Sequence, residues 1–248
     1  SNMGGQANTP VTNSFSNFSG SIQSNISPNT TAGFSIVKWV ATGSNATVGH
    51  GLGVAPAMVI LKNLDSTRNW TVGHNGLTNW NYHLYLDAAN AENSDSTMFQ
   101  GTAPSSTVFS VGTASETNES GDNFIAYCFA DVQGYSKFGS YVGNGNADGT
   151  FVYLGFKPAF VMIKGTYGDW WGMQDNKRDI DNVVDKTIYA NVSDAEYSGS
   201  NYYEDFLSNG FKIRTSHGGM NGSGNSYIYM AFAENPFTSS AGTPVTAR

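Results

Sequence analysis

A saccharide is held in water by two kinds of group. An aromatic ring lies against the apolar C–H face of the pyranose, and Asp, Asn or Gln side chains bond its hydroxyls in pairs. The sequence offers that combination at Tyr167, Asp169 and Trp171. Neighbouring residues on a strand point to opposite faces. With Trp170 read as a half-buried core ring, Trp171 is expected to face outward beside Tyr167 and Asp169. An aromatic contact between copies of the chain is the competing reading of the same residues. Further aromatics sit among Asn, Ser and Gly, as in a paratope where rigid rings give area and small polar residues adapt. These are Trp80 and Tyr82 in the first half, and Tyr197, Tyr202 and Tyr203 in the second.

Other chemistry is less complete. Asn144, Asn146 and Asp148, followed by Gly149, match the first half of a calcium loop, but Gly155 stands where the closing bidentate Glu belongs. A hairpin turn is the better reading, and calcium would need a carboxylate from another loop; no other cofactor is expected. The loop carboxylates Asp169, Asp175, Glu196, Glu204 and Asp205 leave open a saccharide-cleaving pair. His50, His74, His83 and His217 are scattered, with no second ligand at metal spacing. Cys128 is the single cysteine, which excludes an intrachain disulfide and suits a small buried residue.

An internal repeat of about a hundred residues outlines the scaffold. Ala57-Met58-Val59-Ile60-Leu61-Lys62 matches Ala159-Phe160-Val161-Met162-Ile163-Lys164, and Ile125 to Asp131 matches Ile228 to Glu234. Gly33 to Val37 matches Gly134 to Phe138, and Asn69-Trp70 is paired with Asp169-Trp170. Within each copy, short blocks of Val, Ile, Phe, Tyr and Trp alternate with Gly, Asn, Pro and Ser, which predicts about seven strands and no long helix. The expected fold is all-β, a tandem pair of antiparallel β-sandwich or jelly-roll-like units. The divisions are a polar linker or edge segment at 1–32, repeats at 33–133 and 134–237, and a polar tail at 238–248.

Only 12% of residues are charged and the net charge is −7, which opposes binding to a phosphate backbone and excludes nucleic acid as the default partner. The longest apolar runs, Ala55–Leu61 and Ala159–Ile163, are far shorter than a helical membrane span, so no insertion is expected.

The strings Gly134-Tyr135-Ser136-Lys137-Phe138-Gly139-Ser140-Tyr141, Ala147-Asp148-Gly149, Phe151-Val152-Tyr153 and Tyr229-Met230-Ala231-Phe232-Ala233-Glu234-Asn235-Pro236-Phe237 resemble a module of bacteriophage tail fibres and appendages, marine phages included. The resemblance covers about Ser21 to Phe237. It implies a virion tail appendage facing the cell exterior, often beside concanavalin-like lectin domains, whose partners are host-surface glycan and other tail proteins. A homo-oligomer such as a trimer fits that setting. The resemblance carries no catalytic residues, so no enzyme is expected. Glycan recognition ranks first, a structural virion component second, and a polysaccharide depolymerase third.

Overall fold

The structure is a computed structural model that describes residues 14–234. Residues 1–13 and 235–248, with the tail read at 238–248, lie outside the described residues. By contacts the chain divides into two compact units, one made of the stretches ending at Tyr85 and running Asn93–Asp131, the other of Leu86–Glu92 and the chain from Val132 onward. The boundary read at 133 therefore falls at 131, and seven residues from the first repeat are grouped with the second unit.

In the first unit the strands are β1 (Phe15–Asn17), β2 (Ser24–Asn29), β3 (Phe34–Val40), β4 (Ala46–Gly49), β5 (Met58–Asn63), β6 (Thr71–His74), β7 (Tyr82–Tyr85) and β8 (Asn93–Ser94). The one-turn helix α1 (Ser96–Phe99) follows, then β9 (Val108–Val111), a second turn α2 (Ser115–Asn118) and β10 (Asn123–Phe129). The large sheet has the order β1-β2-β3-β10-β5-β6-β7-β8, and β4 pairs with β9 in a small second sheet. All of these strand pairings are antiparallel. The stretch read as linker or edge segment thus holds two edge strands.

Alternation in sequence produces this sandwich. Along β3, Ser35, Val37 and Trp39 are buried, while Lys38 and Val40 are exposed. On β10, Phe124, Ala126 and Cys128 turn to the same core, where Val48 of β4 and Phe109 of β9 meet them. Trp39 stacks on Phe124 at 5.5 Å and meets Phe109 edge-on at 5.7 Å. Cys128 is fully buried, and burial pushes its thiol far above the ordinary range. It is the inert small core residue that its strand position implies.

The second unit runs β11 (Ser136–Val142), β12 (Phe151–Tyr153), β13 (Pro158–Gly165), β14 (Gly172–Asp175), β15 (Lys186–Tyr189), β16 (Tyr197–Ser198), a 3₁₀ turn at Ser200–Tyr202, β17 (Glu204–Leu207), β18 (Gly210–Ile213), α3 (Gly218–Asn221) and β19 (Ser226–Ala233). Its large sheet has the order β11-β19-β13-β14-β15-β16, position for position that of β3-β10-β5-β6-β7-β8. The small sheet is β12-β18-β17, one strand larger than its counterpart. Tyr141, Tyr227, Tyr229 and Phe211 fill the core where the first unit uses Trp39, Phe124 and Phe109.

One buried asparagine per unit ties the short helix to the first turn of the sandwich. Asn118 Nδ2 donates to Ser44 O at 2.6 Å and Gly112 O at 2.9 Å, and its Oδ1 accepts from Thr42 N at 3.0 Å. Asn221 does the same, donating to Asn146 O and Thr215 O, each at 2.8 Å, and accepting from Asn144 N at 2.9 Å. Gly43 and Gly145 occupy the fastened turns at φ of +70° and +66°, a region open to glycine at no steric cost. The sequence carries the signal twice, as Asn118-x-Ser120-Gly121 and Asn221-x-Ser223-Gly224. Asn221→Ala strands a backbone N–H and two carbonyls in a buried site, and is expected to lower unfolding free energy by about 2–4 kcal/mol in urea titrations. Asn144→Ala, on the exposed side of the same turn, should cost less than half as much; equal losses would refute the anchoring role of Asn221.

Candidate functional site

The site is organised by a lysine with no access to solvent. Lys164, on β13, points its ammonium at four carbonyl oxygens: Asp169 at 2.7 Å, Asn90 at 2.9 Å, Gly165 at 3.2 Å and Ala89 at 3.4 Å. Burial pulls this amine down to about 8, opposed by the nearby Asp169 charge. Its partners belong to the loop 166–171 and to the stretch 86–92, both within the second unit. Glu92 N adds a 2.7 Å bond to Thr166 O. The loop is therefore tied at its root and at its crest.

The crest carries Asp169 and Trp170. Asp169 sits at φ +83°, which a side chain with a Cβ adopts only when its surroundings impose it. Two bonds impose it here: Lys164 holds the Asp169 carbonyl, and Asp169 Oδ1 accepts from Trp170 N at 2.8 Å. Tyr167 donates its hydroxyl proton to Gly218 O at 2.5 Å, with Asp169 Oδ2 at 3.4 Å. Tyr227 donates to the same Gly218 carbonyl, and Asp169 Oδ2 has the long Tyr167 contact as its one described side-chain bond.

Trp170, 39% exposed, is the outward ring. Its inner side meets Tyr189 edge-to-face at 4.9 Å; Tyr189 meets Tyr202 at 5.7 Å, and Tyr202 meets Tyr197 at 5.4 Å and His217 at 5.6 Å. Tyr189 and Tyr202 are buried, so this file of rings supports Trp170 from within. Tyr167, 42% exposed, stands on the same loop and braces edge-on against Tyr227.

The expected orientation of the tryptophan pair is corrected. Trp171 is 1% exposed and Trp170 is the ring in solvent. Leu61 pairs with Thr71 and the matching Ile163 with Gly172, so Trp171 and not Trp170 is the counterpart of Trp70. Seven residues, 64–70, separate β5 from β6, but only six, 166–171, separate β13 from β14, and that single deletion slips the alignment. The backbone of Trp171 is fixed as well: its N–H donates to Asn191 Oδ1 at 3.0 Å and its carbonyl accepts from Ala190 N at 3.1 Å.

Two more of the expected contact residues face inward. Trp80 is buried in the first unit's core, edge-on to Phe99 at 5.6 Å, because the absent side chain at Gly73 makes room for it. Tyr202 is buried in the core of the second unit and acts as a support. Tyr82 and Tyr203 are half-buried, in the first and second unit respectively.

The oxygens of the 144–148 turn are engaged within the fold. Asn144 Oδ1 accepts from Asn146 N and from Asn221 Nδ2, and Asn146 Oδ1 accepts from Asp148 N. Asp148 pairs with Lys212 at 2.6 Å. These oxygens fasten a turn, with backbone and lysine donors where a cation would stand. Among the loop carboxylates, Asp175 and Glu196 bind Arg178 at 2.6 and 3.3 Å, and Asp205 lies 3.5 Å from Arg214. Asp169 alone of the five is both partly exposed and outside the described ion pairs.

Glu204 was visible in the sequence only as one loop carboxylate among several. It begins β17, is sealed in the second unit's interior, and neither carboxyl oxygen has a hydrogen-bond partner among the described residues. Burial, with a smaller push from Asp205, holds it well above its ordinary value. His50 and His83 are shifted the opposite way by burial.

The geometry defines a class: an antiparallel β-sandwich protein presenting an aromatic and carboxylate rim on a braced loop. The chain belongs to the family described as a domain of unknown function, DUF7483, which matches residues 7–236. One family match spans both units, so the pair and not the single copy is the family's domain. No curated protein and no solved structure matches the chain.

Two outcomes follow from these buried charges. Lys164→Met keeps the chain length but leaves carbonyls without their donor, and should destabilise by about 2–4 kcal/mol in urea unfolding. A loss below 0.5 kcal/mol, on the order of a surface substitution, would show the lysine to be dispensable. For Glu204 the folded state keeps a proton that the unfolded chain releases above its ordinary value of 4.5. Its contribution is therefore fully present below that pH and declines as pH rises, by up to about 1.4 kcal/mol per unit. Glu204→Gln should match wild type near that pH and exceed it in thermal stability in neutral and mildly basic buffer. Melting curves that stay parallel across the range would refute the assignment. The two histidines act at the acid end, where stability falls below their ordinary value of 6.5.

Proposed function

We propose that this chain is a tail-appendage module of a bacteriophage that attaches to saccharide on the host surface. The observation that carries the reading is Trp170, a solvent-facing indole next in sequence to the partly exposed carboxylate of Asp169, on a loop braced by Lys164. An indole face and a carboxylate acceptor held rigidly side by side are what a pyranose needs, because ordering a flexible site would consume most of a weak contact's free energy. The long strings shared with tail-fibre modules supply the setting. A virion displaying many copies raises avidity by roughly 10² to 10⁴ over a single weak site.

A second reading, a particle-building module, draws on Phe151 and Tyr153. Both are exposed on the edge strand β12, where the first unit carries Thr47 and Gly49 beneath the segment that includes Ser21 and Ile22. An uncovered pair of rings on a sheet edge suits contact with another protein.

Fluorescently labelled protein added to intact candidate host cells separates the two readings. Wild type should bind, Trp170→Ala should bind at least tenfold more weakly with an unchanged melting temperature, and soluble surface polysaccharide should compete. No binding of wild type to any cell, with self-association that Phe151→Ser/Tyr153→Ser abolishes in sedimentation, would favour the particle-building surface.

A further inference from the structure

We propose that the saccharide taken at the Trp170 rim is an amino sugar bearing a free ammonium group, with Asp169 as the residue that selects it. This rests on the reading of that rim as a saccharide site.

The argument is the distribution of charge. Asp169 carries the site's accessible carboxylate, and its Oδ2 has only a long contact from the Tyr167 hydroxyl, at 3.4 Å. Its charge is felt across the whole file of rings, at Tyr167, Tyr189 and Tyr202, and Asp194 adds to the field at Tyr189. The cations nearby are already engaged. The Lys164 ammonium is enclosed by four carbonyls, Arg178 is shared between Asp175, Glu196 and the Met173 carbonyl, and Arg214 faces Asp205. A ligand therefore meets the Asp169 carboxylate, whose nearest cation is the enclosed Lys164, beside an indole face whose own π-electrons also favour a cation. An acidic sugar would be repelled there. A neutral one would gain only stacking and a hydroxyl bond. A protonated amine would gain an ion pair with Asp169 and a cation–π contact with Trp170 in one position.

The internal repeat supports the assignment by contrast. At the same place in the first unit Arg68 stands where the second has Asp169 and Asn69 where it has Trp170; the loop is one residue longer, and Lys62 donates to Arg68 O at 2.8 Å. The scaffold lysine recurs, whereas the carboxylate at a left-handed φ and the additional outward indole belong to the second unit alone.

The test is titration calorimetry at mildly acidic pH with three oligosaccharides of equal length: a glucosamine oligomer, its N-acetylated form and a galacturonate oligomer. The proposal expects the free amine to bind at least tenfold tighter than the acetylated form, the acid to bind weakest, and added salt to shrink the difference. Asp169→Asn is the informative variant. Asn accepts the same backbone conformation, keeps an oxygen for Trp170 N–H and removes only the charge. It should bind amine and acetylated oligomers equally while melting as wild type does. Equal affinity of wild type for both, or an amine preference that survives Asp169→Asn, overturns the proposal and leaves the saccharide reading standing. Competition by oligolysine as effective as by the glucosamine oligomer overturns the sugar specificity. Failure of wild type to bind any of the three, alongside retained attachment to cells, would remove the saccharide reading itself.

Discussion

In each unit the last described strand lies inside the large sheet between two earlier ones, β10 at mid-sheet and β19 one place from the edge. β10 inserts between β3 and β5, pairing Phe129 with Phe34 on one side and Met58 on the other, and β19 does the same between β11 and β13. Neither sheet can complete its ladder until the whole unit has left the ribosome, so these folds depend on contacts between residues far apart in sequence, the slow kind to form. The composition of these inserted strands follows from that position. A strand covered on both sides by neighbours and packed on a core needs small inward residues where sheets approach, supplied by Ala126 and Cys128 on β10 and by Ala231 and Ala233 on β19. The buried asparagines act immediately upstream. Asn118 and Asn221 fix the short helix that feeds the final strand into its slot, and do so by binding the turn that follows β3 in one unit and β11 in the other.

Much of this was legible in the chain because strands write themselves as alternation and repeats as recurrence. Phe34 to Val40 and Phe124 to Phe129 alternate cleanly, and the second unit's strand order follows its strings. What failed was register through a loop. The reading placed Trp170 opposite Trp70, and a one-residue difference in loop length was enough to exchange the inward and outward indoles, since the side-chain period of a strand is two. Trp80 and Tyr202 failed for another reason. Both stand in polar, loop-like sequence, yet Gly73 opens a cavity for one and the file of tyrosines encloses the other. Local composition carries no trace of which distant residue leaves room.

Lys164 shows the same limit more sharply. In sequence it was a marker that two strings align; in the fold it is the bolt of the candidate site. The ion is stabilised by four backbone carbonyls, whose positions depend on the path of the loop 166–171 and of the stretch 86–92. No side-chain pattern encodes such a partner set, because every residue offers the same carbonyl. The matching Lys62 has a single carbonyl partner, Arg68, among its described side-chain bonds. The feature shared by the two copies is therefore a tie between a strand and its following loop, and in the second copy it is a cage of four carbonyls.

That elaboration connects stability to recognition. A left-handed aspartate and an exposed indole are both unfavourable on their own, the first through backbone strain and the second through apolar surface left in water. The second unit sustains them because Lys164 holds the loop's carbonyls and the Tyr189 and Tyr202 rings hold the indole. In the sister copy Arg68 and Asn69 stand at these two places, and the loop has no second tryptophan. Two identical sheet orders thus carry one plain loop and one costly loop, and the cost is concentrated where an aromatic face and a partly exposed carboxylate meet solvent together.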